Sequence, residues 1–370
     1  MKNKLFASLF VMTFFVITNC KAQTEQQNKI GSIGAVSGMN QSRATHRATL
    51  LNNGKVLITG GFSADRSSLP STEIYDSKTK IFFAGDNMSV ARASHSSTLL
   101  PDGRVLIAGG YNGDYLDSAE IYDPKTGDFS PTGKMTQPRS EHIAVLLAGG
   151  KVLLAGGVGT GWTFLVDAEI FDPATNTFTK TGNMLAARES HTATLLKDGT
   201  VLITGGHKGR RAAIEIYKSA EIYNPNKGTF TVVADLTVKR HKHDAVLLDD
   251  GRVLVVGGSD ERDSGGAYTN VEIYNPKTKN FSKIGDMRFA RYKLQGTSIL
   301  LKNGKVLIAG GSSQAEIFNL ATNSFEIAEG EFETARLFST ATLLQDGQVL
   351  IVGGYDQRIN ISAKAWIYKS

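Results

Sequence analysis

A nine-residue phrase recurs seven times along this chain of 370 residues and constrains its fold more than any other feature. Each copy contains a turn pair, an apolar run and two glycines, as in Asn53 to Gly61. The other copies are Asp102 to Gly110, Gly149 to Gly157, Asp198 to Gly206, Asp250 to Gly258, Asn303 to Gly311 and Asp346 to Gly354. A period of about fifty residues over almost the whole chain indicates an array of equal structural units.

Each unit reads as four short strands separated by turn residues. The first strand, as at 191–196, is followed by an Asp-Gly or Asn-Gly pair that predicts a two-residue hairpin. The second strand, as at 201–204, is continuously apolar, so we expect it to be buried on both faces before it ends at the glycine pair. A third strand carries Glu-x-Tyr, and a short fourth strand carries one aromatic residue. Those aromatic residues are Phe83, Phe129, Phe178, Phe230, Phe281 and Phe325.

The hydrophobic strand that closes on Gly-Gly, the Glu-x-Tyr strand and the later aromatic residue together resemble the Kelch family, in which that aromatic is usually Trp. The resemblance covers roughly residues 30 to 370 and implies a β-propeller. The predicted fold class is all-β, a seven-bladed Kelch-type propeller with four antiparallel strands per blade. The seventh unit ends after its third strand, 365–368, and an orphan segment at 33–39 precedes the first unit. We therefore expect the N-terminal strand to complete the last blade and leave no exposed sheet edge.

The first twenty residues differ in composition from the rest. Lys2 and Lys4 precede an apolar stretch at 5–18, which is typical of an export signal and short for a membrane span. The only cysteine, Cys20, follows in Ile-Thr-Asn-Cys, which resembles the lipobox of bacterial lipoproteins, although Asn19 stands where that motif prefers Gly, Ala or Ser. The expected organisation is a signal peptide at 1–19, a lipid on Cys20, a polar tether at 20–28 and a single propeller domain at 29–370. The alternative is cleavage after Ala22, which would release a periplasmic or secreted protein.

The net charge and its distribution limit the classes of binding partner that the sequence predicts. The formal net charge of +6 includes Lys2 and Lys4, and no run of like charge stands out. This distribution does not predict nucleic-acid binding. We expect a protein or glycan partner, and contact with a membrane only through an N-terminal lipid.

An arginine precedes the first strand of most units and a glutamate begins the third strand. Because both starts lie at the same end of an antiparallel blade, the sequence predicts an Arg–Glu ion pair in most blades, bidentate where geometry allows. The expected partners are Arg43, Arg92, Arg139, Arg188 and Arg240 on one side and Glu73, Glu120, Glu169, Glu221 and Glu272 on the other. In the seventh unit Trp366 replaces the glutamate, so we expect Arg336 to lack this partner.

Five histidines share one slot, three residues after the arginine: His46, His95, His142, His191 and His243. A ring of imidazoles near a propeller axis suits a metal ion, but no Asp, Glu or Cys recurs beside them. We favour a structural role in which each histidine satisfies a backbone group at the end of its blade. No metal and no cofactor are predicted. Ser339 fills the slot in the seventh unit, and Gly296 fills it in the sixth if a two-residue insertion follows Arg291.

Loop length locates the expected working face. The loop between the glycine pair and the Glu strand varies most from unit to unit, and such variable loops on a rigid scaffold carry function. Their aromatic and charged residues suit sugar or protein recognition. The candidate residues are Tyr111, Tyr115, Trp162, Phe164, Arg210, Arg211, Asp260, Arg262, Tyr268, Tyr355 and Arg358.

Two classes of function remain open. The favoured one is an exported, non-catalytic binding module that presents this loop face to a protein or a glycan. The alternative is a sugar-active enzyme similar to the Kelch-type sialic acid mutarotase, which needs only an acid–base pair in a polar pocket. A second Kelch-type enzyme, galactose oxidase, requires a cysteine in its catalytic domain, and the chain has none beyond Cys20. Its copper chemistry is therefore set aside.

Overall fold

The computed structural model describes residues 30–370, so the expected signal peptide, the lipidated Cys20 and the polar tether lie outside the described residues. Residues 30–370 form seven four-stranded antiparallel sheets. The first strand of each sheet contacts the first strands of both neighbouring sheets, and the contact between the first and last sheets closes the ring. The predicted seven-bladed propeller is confirmed.

The four strands of each blade are arranged in order from the axis outward. Blade 1 contains Arg47–Leu50, Lys55–Thr59, Thr72–Asp76 and Ile81–Ala84, and blade 2 contains Ser96–Leu99, Val105–Ala108, Ala119–Tyr122 and Phe129–Pro131. Blade 3 contains Ile143–Leu146, Val152–Ala155, Ala168–Asp172 and Thr177–Lys180, and blade 4 contains Thr192–Leu195, Val201–Thr204, Ala220–Asn224 and Thr229–Val232. Blade 5 contains Asp244–Leu247, Val253–Val256, Tyr268–Asn275 and Asn280–Arg291, and blade 6 contains Ser298–Leu300, Val306–Ile308, Glu316–Asn319 and Ser324–Ile327. Blade 7 contains Thr340–Leu343, Val349–Val352, Ala365–Lys369 and, as its outer strand, Ser32–Val36.

The long loops of blades 3, 4 and 5 have structure of their own. Small hairpins pair Val158–Gly159 with Thr163–Phe164 and His207–Lys208 with Glu215–Ile216. Short 3-10 turns occupy Thr160–Trp162, Arg211–Ala213 and Asp263–Gly266. Within residues 30–370, no helix has the length and apolar character that crossing a membrane requires.

The ring closes as the sequence predicts. Ser32–Val36 pairs antiparallel with Ala365–Lys369, with Ile33 opposite Tyr368. The side chain of Ile33 joins Trp366 and Tyr368 in one buried cluster. The two ends of the propeller domain therefore share one sheet.

Each second strand is buried on both faces, as its unbroken apolar run predicts. In blade 1, Val56 and Ile58 pack against Leu350 of blade 7, whereas Leu57 between them packs against Val105 of blade 2. Successive side chains of a strand point to opposite faces, so one short strand serves two interfaces. Full burial of each such side chain stabilises the fold by about 1.5–3 kcal/mol.

The prediction of the fourth-strand aromatic residue is wrong in blade 1. Phe82, not Phe83, is the buried aromatic of the fourth strand, and it packs on Tyr75 with ring centroids 4.8 Å apart. The same Tyr–Phe or Phe–Phe contact recurs in blades 2 to 6. Phe83 points the other way and is 38% exposed, because neighbouring strand residues alternate between faces.

The glycine pair is the point where adjacent blades are joined. The N–H of the second glycine donates to the carbonyl of the buried arginine in the next blade, as from Gly61 to Arg92 at 2.9 Å. The same bond joins all seven blades of the described ring, and Gly354 closes it with a bond to Arg43 at 2.9 Å. The first glycine leaves room for that carbonyl: a Cβ on Gly353 would lie 2.6 Å from the Arg43 oxygen. The missing Cβ thus permits the close backbone approach that the sequence predicts.

Gly353→Ala is expected to destabilise the closed ring. The new Cβ would overlap Arg43 and His46 at a backbone φ of 65°, which disfavours any residue with a side chain. Left-handed strain of about 1–2 kcal/mol and overpacking of about 1–3 kcal/mol give a loss of about 2–5 kcal/mol. Urea denaturation measures it.

Gly34→Ala is the matched control, because a Cβ at Gly34 in the closing strand meets nothing within 4 Å. Its free energy of unfolding should stay within about 1 kcal/mol of the starting protein. Equal stability of the two variants would show that the glycine pair does not control blade contact.

Candidate functional site

The predicted arginines and glutamates are brought together inside the blades. Arg43 Nη2 lies 3.0 Å from Glu73 Oε1, and Arg43 Nη1 donates to the Gly60 carbonyl at 2.8 Å. Glu73 also accepts the backbone N–H of Asn40 at 2.7 Å. The equivalent pairs are Arg92–Glu120, Arg139–Glu169, Arg188–Glu221, Arg240–Glu272 and Arg291–Glu316. Because these side chains are buried and hydrogen-bonded to scaffold groups, they offer nothing to a ligand.

The seventh blade differs from the others as its sequence suggests. Among the described residues no carboxylate pairs with Arg336, whose guanidinium lies over the Trp366 ring at 4.7 Å. Its Nη2 donates to Thr334 Oγ1 at 2.9 Å. A cation–π contact therefore replaces the ion pair at the closure blade.

The recurring histidines are buried between blades. His95 Nε2 lies 2.8 Å from Thr59 Oγ1 of blade 1, and His142 Nε2 lies 3.0 Å from Ser96 Oγ of blade 2. His46 and His243 make the same contact with Thr340 and Thr204. The partner of these four histidines is thus a hydroxyl of the preceding blade instead of a backbone group, whereas neither ring nitrogen of His191 has a hydrogen-bond partner within residues 30–370. The ring reaches it by lying across the first glycine of that blade.

Burial keeps these imidazoles neutral. It lowers the pKa of His46, His95, His142 and His243 well below the ordinary value, and it lowers the pKa of His191 to about 3. Within residues 30–370, no group of three or more His, Cys, Asp or Glu is placed to hold a metal ion.

The histidine slot of blade 6 is filled by Leu294, not by Gly296. The residue two positions after the arginine has a left-handed backbone in every described blade, and in blade 6 that residue is Lys293 with φ of 54°. The slot follows directly, so the two-residue insertion, Gln295 and Gly296, comes after it. Leu294 is fully buried.

These left-handed residues form a ring of backbone hydrogen bonds about the axis, here called the axial ring. Its members are Thr45, Ser94, Glu141, Ser190, Lys242, Lys293 and Phe338. The N–H of one member donates to the carbonyl of the preceding one, as from Ser94 to Thr45 at 3.0 Å and from Lys293 to Lys242 at 2.9 Å. Among the described residues this bond is missing only between Glu141 and Ser190. Left-handed backbone at non-glycine residues costs free energy, and the surrounding blades must maintain it.

The sequence analysis did not select these positions, although a signal exists. The residues one and two places after the arginine are small in blades 1 and 2, but are Glu189 in blade 4 and His241 with Lys242 in blade 5. They lie between an arginine and a histidine that hardly vary. The side chains at these two positions vary from blade to blade although the residues on either side recur, so the scaffold does not require a particular side chain there.

Two histidines outside the recurring slot meet beneath the loop face. The Nδ1 atoms of His207 and His241 are 3.0 Å apart, so one ring donates a proton and the other accepts it. His207 Nε2 lies 3.0 Å from Glu189 Oε1, and His241 Nε2 lies 3.4 Å from Asp263 Oδ1. Three hydrogen bonds in this row need three protons, whereas two neutral imidazoles carry only two. An additional proton on the pair therefore strengthens the contact with the Asp263 loop.

The pKa values of this row follow from its burial. Burial raises the pKa of Glu189, but hydrogen bonds and charge from His207 and Arg210 outweigh it and hold that pKa below its ordinary value. Burial lowers the pKa of His241, against the opposing hydrogen bond of Asp263. The Glu189 carboxylate is consequently ionised and available to hold a cation.

Five of the predicted loop residues form one continuous surface, here called the aromatic row: Tyr111, Tyr115, Trp162, Phe164 and Arg210. Tyr115 lies between Tyr111 and Trp162, with ring centroids 5.3 and 6.2 Å away. The Arg210 guanidinium lies over Trp162 at 4.7 Å and over Phe164 at 5.4 Å. Arg210 Nη2 donates to Glu189 Oε2 at 2.9 Å, which ties the row to the buried histidines.

The other predicted loop residues lie apart from this row. Asp260 and Arg262 pair with each other, and Tyr268 packs over the scaffold Arg240. Tyr355 packs beside Phe338 of the axial ring, where Lys293 Nζ lies 5.5 Å from its ring centroid. Arg211 and Arg358 are exposed at the surface.

Comparison with known proteins agrees with this architecture. The model of the KLHDC2/KLHL20/DRC7 Kelch-repeats domain matches residues 21–206 and 128–311. The chain belongs to the Kelch-repeat family. A fungal alcohol oxidase of the AA5 family, solved in complex with copper, superposes on this Kelch propeller with a TM-score of 0.74 and 18% identity, over 92% of this chain and 76% of the oxidase. At that identity the likeness shows the fold alone. No curated protein matches the chain.

The two histidines beneath the loop face are engaged within the Kelch domain. Residues 30–370 hold no cysteine and no cluster of three potential metal-ligating side chains. His207 and His241 turn their nitrogens toward each other, toward Glu189 and toward the Asp263 loop. Their hydrogen-bonding atoms are thus engaged within the protein.

Because the recurring histidines are buried, the free energy of unfolding is expected to fall in mild acid. The unfolded-state pKa of a histidine is about 6.5. A histidine with a lower folded-state pKa stabilises the fold fully above about pH 6.5, and this stabilisation is lost as the pH falls toward the folded-state pKa. For His191, with a pKa of about 3, the loss between pH 7.5 and 5 is about 2 kcal/mol. Urea denaturation at the two pH values measures this loss.

His191→Asn should reduce that pH-dependent loss by about 2 kcal/mol, since it removes one such group. Ser339→Ala, at the equivalent position of blade 7, is the control and should leave the loss unchanged. The same acid sensitivity in His191→Asn and in the starting protein would contradict the neutral, buried assignment.

Proposed function

We propose that this Kelch propeller is a non-catalytic binding module whose aromatic row takes a glycan. The observation that carries the proposal is the arrangement of Tyr115, Trp162 and Arg210. Trp162 is 59% exposed, in contact with both neighbours, on the face that bears the most variable loops. An exposed aromatic of this size on a rigid scaffold marks a recognition surface.

The chemistry of the row suits a sugar. The apolar faces of pyranose rings pack on aromatic rings, while hydroxyl and carboxylate groups accept hydrogen bonds from a guanidinium. Trp162 and Tyr115 supply the rings, and Arg210 supplies the donors beside them.

The row is also held in place before any ligand binds. Glu189 is 2% exposed and holds Arg210, and His207 in turn holds Glu189. Side chains fixed in this way lose less conformational entropy on binding, which increases affinity.

Trp162→Ala should weaken glycan binding by about 5- to 30-fold, because the lost ring contacts are worth about 1–2 kcal/mol and each 1.4 kcal/mol changes the dissociation constant about tenfold. A glycan array first identifies ligands of the purified protein, and calorimetry with the best ligand measures the change. Tyr115→Ala should give a smaller loss in the same direction.

Phe83→Ala is the matched control. Phe83 also forms an exposed cation–π pair, with Lys55 Nζ 5.5 Å from its ring centroid, but it lies on the outer strand of blade 1. Its replacement should leave glycan binding unchanged. A blank array, or equal losses in Phe83→Ala and Trp162→Ala, would refute the glycan proposal and direct the search to protein partners.

A sugar-active enzyme is the second candidate, and the row Glu189–His207–His241–Asp263 is the observation in its favour. These titratable groups contact one another in series beneath the loop face, as a proton relay requires. Binding is preferred because Glu189, His207 and His241 are each no more than 2% exposed. Interconversion of sugar anomers, followed by NMR and abolished in His207→Gln, would support the enzyme instead.

We also propose that the module is exported and held at the cell envelope through a lipid on Cys20. The support is the leader sequence, with Lys2 and Lys4 before an apolar stretch that ends at the only cysteine. Mass spectrometry of the mature protein should find a lipid-modified Cys20 at its N-terminus. An unmodified N-terminus at Gln23 would overturn the anchor and leave a free exported protein.

A further inference from the structure

A polar cavity of about 360 Å³ lies on the axis of the propeller, beneath the axial ring. Blades 1, 2, 3, 4 and 7 contribute to its wall through their ring residue and the start of their first strand. Blade 5 contributes through Asp244 and Ala245, and blade 6 through Gln295 and Gly296. Its volume falls in the range of about 300–1,000 Å³ that is usual for small-molecule pockets. This axial cavity is separate from the aromatic row, whose residues do not line it.

The cavity contains an arginine without a carboxylate partner. Arg47 begins the first strand of blade 1, and its Nε donates to the His95 carbonyl at 2.7 Å. Among the described residues, neither of its terminal nitrogens has a hydrogen-bond or ion-pair partner. The buried arginines of the blades, by contrast, are paired with glutamates in six cases within residues 30–370. Arg47 thus presents the two parallel donors that bind a carboxylate in bidentate geometry.

Glu141 supplies the opposite charge in the same cavity. It belongs to the axial ring, and one carboxylate oxygen accepts the Ser94 hydroxyl at 2.7 Å. Arg47 and Glu141 line one cavity without forming an ion pair with each other. Burial lowers the pKa of Arg47 and the charge of Glu141 opposes that effect, so the two groups influence each other across the gap.

The remaining acid that lines the cavity is already engaged. Asp244 Oδ2 accepts the N–H groups of Thr297 at 2.9 Å and Ser298 at 2.7 Å, which holds the insertion of blade 6. Burial raises its pKa to about 6. The groups left for a ligand are therefore one cation and one anion, at separate points of the wall.

Further polar atoms of the wall lack partners. Thr45 Oγ1, Ser339 Oγ, Gln295 Oε1 and His191 Nε2 are buried and make no hydrogen bond to any described residue. Thr45, Ser339 and His191 are each more than nine-tenths buried. These four atoms are closed off from the cavity as well as from solvent, so the wall offers a ligand mainly Arg47 and Glu141.

We propose that the axial cavity binds a small zwitterion, an aminocarboxylic acid whose carboxylate lies on Arg47 and whose ammonium group lies on Glu141. The hydroxyl-rich wall between them hydrogen-bonds the remaining polar groups. A simple anion is disfavoured because Glu141 and Asp244 share the cavity with Arg47. A simple cation leaves Arg47 unpaired.

Calorimetry of the purified protein with defined probes tests this assignment. L-Serine, β-alanine and 4-aminobutanoate carry both charges at increasing separation, whereas glycerate lacks the ammonium group of serine and ethanolamine lacks its carboxylate. We expect at least one zwitterion to bind, and to bind at least tenfold more tightly than glycerate or ethanolamine. Binding of none of the zwitterions, or equal binding of glycerate or ethanolamine, would overturn the proposal and leave a cavity filled by water or by a singly charged ligand.

Variants assign the two contacts. Arg47→Gln and Glu141→Gln should each weaken zwitterion binding at least tenfold, while Arg104→Gln should have no effect, because Arg104 is a half-buried arginine paired with Asp102 and does not line the cavity. Thermal unfolding checks that each variant is folded, and Arg47→Lys replaces Arg47→Gln if the latter is not. Unchanged affinity in a folded Arg47 or Glu141 variant would refute the site. Trp162→Ala should leave zwitterion binding intact, so this result is independent of the glycan proposal.

Discussion

The contact between the buried arginine of one blade and the second glycine of the preceding blade underlies the rest of this structure. The arginine carbonyl accepts the glycine N–H across the blade interface, and its guanidinium donates to the first glycine carbonyl and to the glutamate of its own blade. One residue thereby fixes both the interior of a blade and its angle to the neighbour. Such a buried charge is tolerable because its partners are carbonyls and a carboxylate that are themselves hydrogen-bonded.

That contact also determines which residues are free to vary. The arginine is anchored at one end of the connection, and a histidine or its replacement is anchored three residues later. The two residues between them are carried to the axis, where a left-handed backbone recurs at non-glycine residues such as Glu141 and Lys242. The scaffold imposes this backbone without requiring a particular side chain. Charged and aromatic residues can therefore collect there without loss of the fold.

Repetition made most of the scaffold predictable from the sequence. The strand order, the ring closure and the buried second strands follow from the repeated sequence, because every blade packs in the same way against its neighbours. Phe82 was missed because two adjacent phenylalanines cannot be assigned to a face until the strand register is known. The hydroxyl partners of the histidines were missed because they lie in the preceding blade, and one unit read alone does not show its neighbour. Five of the loop residues do form one surface. Glu189, which supports it, carries a signal only when the repeats are aligned with one another, and the contact of His207 with Glu189 follows only from the structure.

The residues of both proposed sites are those at which the repeat is broken. The aromatic row depends on His207 and Glu189, which have no counterpart in the other blades. The axial cavity is lined by Ser339, where a histidine is lost, and by Gln295 and Gly296, which are an insertion. A histidine fills the space between blades, so its replacement by the smaller Ser339 leaves volume at the axis, and the Ser339 hydroxyl has no partner within residues 30–370. In a ring of equal blades a cavity with a cation on one wall and an anion on another can arise only through such differences, and Arg47 and Glu141 are two of them.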